Sequence, residues 1–178
     1  MKQLFIIMAF LLASATSFAQ EGEALEPTQL GQWTRPAATS IDAVDAYVAH
    51  CAAMYQEAMD IRAQFDAIEQ IDITAAANEM LGIEDEDEFS VKRAAYEAII
   101  ERVLQQQEAA AKLPELLAAA TSSLRRAGLR APAGTRAIAA TREVAVLIIR
   151  ENANLLVAAQ ARLAELTGVA PAEIEDTE

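Results

Sequence analysis

One short stretch gathers the side chains best suited to chemistry: Tyr47, His50, Cys51, Met54, Tyr55 and Met59. On a helix His50 and Met54 are i, i+4 neighbours, and Cys51 and Met54 are i, i+3 neighbours. An imidazole, a thiol and a thioether therefore share one face. Soft and borderline donors of this kind suit copper(I), or haem iron with an axial His or Met, which makes His50, Cys51 and Met54 the candidate metal ligands. The same spacing has a plainer use. Cys51 and Met54 also fall on an apolar stripe, where packing alone accounts for them. Cys51 is the single cysteine, so in an oxidising compartment it offers a link only between two copies. The chain has no Cys-x-x-Cys-His, which excludes covalent haem.

Two charged segments are the other candidates. Arg125, Arg126, Arg130 and Arg136 cluster in a stretch with no acidic residue between Glu115 and Glu143. Forked guanidinium donors recognise phosphate and carboxylate, so this basic tip is a candidate contact for anionic headgroups, lipopolysaccharide or an acidic partner. Cations are also favoured at helix C-termini, which is the ordinary reason to find them there. The run Glu84-Asp85-Glu86-Asp87-Glu88 is dense in carboxylates but lacks EF-hand spacing and a central Gly. It reads as a solvated loop, with a weak calcium contact as the alternative.

Catalytic constellations are missing. The chain has one His and shows no nucleophile elbow, Gly-rich phosphate loop, Cys pair or His-Glu zinc helix. No spacing sets two carboxylates apart as a buried pair. A non-enzymatic protein with no cofactor is therefore expected. With 27 acidic against 14 basic residues the formal charge is −13, which argues against nucleic-acid binding through phosphate neutralisation.

Residues 1–19 carry an address. Lys2 precedes an apolar run from Leu4 to Ala13, and small residues end at Ser17-Phe18-Ala19, the pattern of a secretory signal peptide cleaved before Gln20. The expected compartment is the bacterial periplasm or the cell exterior. No later run approaches the roughly 18 uninterrupted apolar residues of a membrane span, so the mature chain is expected to be soluble. Residues 20–40 hold Gly22, Pro27, Gly31 and Pro36 in an acidic context and read as an extended tether. Its Trp33, the only Trp, is either a clasp on the helices or an anchor for a partner.

The elements that must position these residues are helical. After Ser40, a good N-cap followed by Asp42 and Asp45, the residues Val44, Tyr47, Cys51, Met54, Ala58, Ile61, Phe65 and Ile68 alternate by three and four. That helix should run through Met80 and stop at Gly82. A second stretch opens at Ser90 with the stripe Tyr96, Ile99, Val103, Gln106, Ala110, Leu113, Leu117, Ala120 and Leu124. Pro114 should kink it or start a new helix. Gly128 suits a C′ position. A third helix, from near Thr135 to Gly168, is apolar on nearly every face at residues 144–149. The stripe expected on it is Ala145, Ile149, Asn152, Leu156, Ala159, Leu163 and Leu166, with Asn152 at the rim or fixing register. The fold class predicted is an all-α, elongated antiparallel bundle with coiled-coil-like packing. It has three helices, or four if Pro114 breaks the second, spans 41–167, and is followed by an acidic disordered tail at 168–178.

The 41 Ala residues let helices approach closely but limit the apolar area of a monomeric core. Self-association or a partner is therefore expected, with Val146 and Ile148 as docking residues beside Trp33, Arg125, Arg126 and Arg130. The expected function is an accessory or adaptor subunit of a cell-envelope assembly. A small-ligand or metal-binding bundle and a holdase chaperone are the alternatives.

Overall fold

The computed structural model describes residue 30, residues 33–80 and residues 86–168, the side chains of 71–80 and 86–88 excepted. The leader at 1–19, the tether up to residue 29, the helix stop at Gly82, Glu84 and Asp85, and the tail after Gly168 lie outside the described residues.

The stripe of alternating threes and fours builds α1 (Asp42–Met80). All eight of its members, Val44 through Ile68, are buried. At 39 residues and 1.5 Å per residue, the helix is about 58 Å long. Its start differs from the expectation at Ser40. Ser40 adopts a left-handed φ of 57°, and Thr39 and Asp45 close the helix end instead. The Asp45 carboxylate accepts hydrogen bonds from the Thr39 amide (2.8 Å) and hydroxyl (2.9 Å).

The second stretch forms α2 (Glu86–Ala110) and α3 (Leu113–Leu124). α2 begins four residues before Ser90. Part of the acidic run, Glu86 to Glu88, is thus its first turn, where negative charge meets the positive end of the helix dipole. The chain breaks at Ala111 and Lys112 because Pro114 has no amide hydrogen to bond four residues back. Proline is tolerated in a first turn, and that is where α3 places it. Gly128 turns left-handed at φ 55° into a 3₁₀ turn, Gly128–Arg130. α4 (Ala131–Thr167) follows directly and so starts four residues earlier than Thr135, again with a proline in its first turn. Gly168 ends it in the left-handed conformation at φ 65°.

An all-α bundle results, with no strand among the described residues. Side-chain bonds fix its register. Tyr96 donates to Glu69 (2.9 Å), Arg102 pairs with Glu57 (2.7 Å) and bonds Gln64, and His50 meets Ala109, so α2 runs antiparallel to α1. Arg130 donates to the Ser40 carbonyl (2.7 Å), Arg62 pairs with Glu151 (2.9 Å), and Arg162 grips Glu69 through two bonds (3.0 and 2.8 Å). These contacts rise together in number, so α4 runs parallel to α1. The molecule is three rods, up, down and up, and the middle rod is interrupted at Pro114.

The core has two parts. One holds Ile41 and the α1 residues Val44 to Ala58 with Leu113, Ala120 and Ala137 to Ile148. The other holds Ile61, Phe65, Ile68, Tyr96, Ile99, Val103, Leu155 and Ala159. Along each rod the change of cluster is marked by polar residues: Arg62 beside Ile61, Gln106 after Val103, and Glu151 with Asn152 between Ile148 and Leu155. The buried face of α4 is therefore Ala137, Thr141, Val144, Ala145, Ile148, Asn152, Leu155 and Ala159. This corrects the expected stripe: Ile149, Leu156, Leu163 and Leu166 are only partly buried. The reason is that residues 144–149 at the middle of α4 are apolar on nearly every face, so that stretch does not select an inner side.

Candidate functional site

The His50, Cys51 and Met54 set does not converge on a common point. Cys51 and Met54 lie in the core among Val44, Tyr47 and Ile148, as their stripe positions require. Burial pushes the Cys51 thiol up to about 11 despite a hydrogen bond with Tyr47, and burial followed by the neighbouring Cys51 pushes the Tyr47 phenol up to about 12. A metal binds the thiolate, which this setting disfavours. His50 turns the other way. Its Nε2 lies 2.9 Å from the Ala109 carbonyl, and a carbonyl only accepts, so Nε2 carries the hydrogen. Ala109 is in the last turn of α2, and its carbonyl also accepts the Lys112 amide (3.1 Å) where the helix tightens ahead of α3. The single histidine thus ties α1 to the broken end of α2. Among the described residues no group of three or more His, Cys, Asp or Glu side chains could hold a metal ion.

Trp33 folds onto the bundle. Its ring stands 5.1 Å from that of Tyr55 at 55°, and Tyr55 donates to the carbonyl of Leu30, which is buried. Trp33 is half-buried against the first core cluster, and its indole nitrogen is buried with no hydrogen-bond partner. The ring is used within the chain as a clasp.

The waist between the two clusters is a site that spacing alone did not single out. Gln106 and Asn152 are both buried, and the side-chain carbonyl oxygen of each has no partner. Arg62 and Glu151, side chains 13% and 10% exposed, pair there. Asn152 is therefore not at a wet rim. The polar interruptions of the stripes were the available signal, but their burial needed the third rod.

Among the described residues, α2 exposes Phe89, Val91 and Leu104, and two further outward surfaces hold the docking residues expected from the sequence. On α4, Val146 and Val157 are 62% and 65% exposed and lie on one line three turns apart. Ala139 and Ala161 are exposed beside that line. Ile148, expected to join Val146 in docking, is instead fully buried, because two residues on a helix point to nearly opposite sides. By length and composition the segment Gly128–Thr167 is apolar enough to cross a membrane, with 39% of its most apolar window buried. Its inner face closes the core and its outer face is the Val146 line. The second surface is the tip. Arg125, Arg126, Arg130 and Arg136 are all exposed there, and Leu129 is fully exposed among them. The α1 start brings Asp42 and Asp45 to the same end, so the tip is less purely basic than its own segment.

No protein-family model matches the chain, and no curated protein or solved structure is detectably similar to it.

Proposed function

We propose that the chain is a non-enzymatic interaction protein of the cell envelope, exported by its leader, and that it serves as an accessory or adaptor subunit of a larger assembly. One observation carries this reading: the outward line of α4, with Val146 and Val157 exposed although the core is closed without them. Exposed apolar groups aligned on one face mark a contact surface more readily than scattered ones. The aligned valines, the absence of catalytic constellations in the sequence and the clasped Trp33 are consistent with a rod that presents its side to another protein. A second copy of the chain is the simplest alternative occupant of the same face.

The test is site-specific photocrosslinking in cells of the source organism. A photoreactive residue at Val146 or Val157 is expected to capture one dominant envelope protein, or a second copy, at a near-fixed ratio. The same residue at Gln105, exposed on α2, serves as the control. With the photoreactive residue at Val146, Val157→Asp should sharply reduce the capture, as should Val146→Asp with the photoreactive residue at Val157, while circular dichroism stays unchanged. Equal, diffuse crosslinking from all three positions would overturn the proposal.

A further inference from the structure

We propose that the apex at Gly128–Arg130 is a membrane-docking tip, in which Leu129 enters the interface of an anionic bilayer while the surrounding arginines hold headgroup phosphates. The apex is the outermost turn between α3 and α4. Gly128 takes its left-handed φ of 55° there, with nothing within 4 Å of where a side chain would start. The turn therefore projects into open space, and it carries Leu129 outward with no protein contact to cover it. A leucine so placed has only water as its surroundings, whereas Leu124 at the end of α3 packs against the core. Around it stand Arg125, Arg126, Arg130 and Arg136, all exposed. Arg130 spends one N–H on the Ser40 carbonyl (2.7 Å), which steadies the apex against α1. The acids at this end are Asp42 and Asp45, and Asp45 is already engaged by Thr39. Four guanidinium groups against two carboxylates leave the tip positive.

Shape and charge together select the occupant. A single apolar side chain on a convex turn cannot form the broad, complementary patch that a stable protein interface needs. A fluid bilayer conforms to a point, accepts the leucine at its headgroup boundary and supplies phosphates to the cations. The rest of the chain is strongly acidic, within a total charge of −13, and is repelled by the same surface. The rod should therefore stand end-on, with the α4 face free for its partner. The tip and that face are separate surfaces, so either proposal can fail without the other.

The test uses the full chain carrying Leu129→Trp, with the emission of the parent chain, which holds only Trp33, subtracted. Vesicles of phosphatidylglycerol and phosphatidylcholine should shift the added emission to the blue and allow quenching by brominated lipid. Vesicles of phosphatidylcholine alone should do neither, and about 0.5 M salt should reverse the effect by screening. In vesicle flotation, Arg125→Gln, Arg126→Gln and Arg130→Gln together should weaken binding on the order of a hundredfold, and Leu129→Ser on the order of tenfold. The double variant Arg125→Gln, Arg126→Gln keeps the Arg130 contact and guards against loss of fold. Unshifted emission on anionic vesicles would overturn the proposal. So would an equal shift on neutral vesicles, or a shift removed by millimolar inorganic phosphate, which would point to a free-anion site. Capture of an acidic protein from position 129 without vesicle binding would overturn it in favour of a protein contact.

Discussion

At Cys51 two influences oppose each other. Burial raises the thiol, the hydrogen bond with Tyr47 lowers it, and burial prevails, leaving it at about 11 against an ordinary 9.0. Tyr47 beside it rises from 10.0 to about 12, through burial first and then its neighbour, with Arg142 acting weakly the other way. Both groups are therefore neutral in the folded chain near pH 7. Their folded values lie above the unfolded ones, so what they contribute to stability is whole below about pH 9 and is lost as pH rises through 11 to 12. Iodoacetamide at pH 8 should leave native Cys51 unmodified, with full labelling after denaturation, as read by mass spectrometry. Cys51→Ala should carry the alkaline loss of helicity to higher pH. A link between two copies through Cys51 would require the core to open, since the side chain is wholly buried. That Cys51 and Met54 are packing residues was legible in their spacing. The turning away of His50 was not, because Ala109 is 59 positions distant.

Element boundaries show how local chemistry competes. At the start of α1, Ser40 has the right side chain for a cap but a left-handed backbone, and Thr39 takes the role with Asp45. Burial alone would raise the Asp45 carboxyl. The hydrogen bonds from Thr39 and from the amides of Ser40 and Ile41 outweigh it and hold the group below its ordinary 3.8. A carboxyl lowered by folding contributes above its unfolded value, and the contribution fades as pH falls through the folded one. Asp45→Ala should thus cost about 1 kcal/mol at pH 7 and much less near pH 3, measured by urea melts at both. At the same end of the bundle, Gly134 precedes the helix start expected near Thr135. It lies within α4, where an added Cβ would stand 2.6 Å from Leu124 and 2.9 Å from Ile41. No local pattern reveals a glycine chosen for close approach between three helices. Pro114 and Gly168 were legible because their effects on the backbone are local.

On the scale of the whole molecule, two apolar cores are joined by a polar waist. Asn152 and Gln106 each bury an unpaired carbonyl oxygen, which costs free energy that a hydrogen bond would have recovered. Asn152→Leu should therefore raise stability by about 1 kcal/mol, seen as a higher urea midpoint. If the waist also fixes register, amide exchange in the variant should become less uniform, as polar interruptions do in helical seams. The sequence by itself determined the helical class, the α1 seam, the break at Pro114 and the helix end at Gly168, because these follow from periodicity and from backbone limits of single residues. The tertiary structure alone decided which side of α4 faces inward, that Ile148 is core while Val146 is surface, and that Leu129 stands uncovered. A stretch apolar on nearly every face, as residues 144–149 are, carries no periodic signal for its inner side; only the placement of the neighbouring rods selects it.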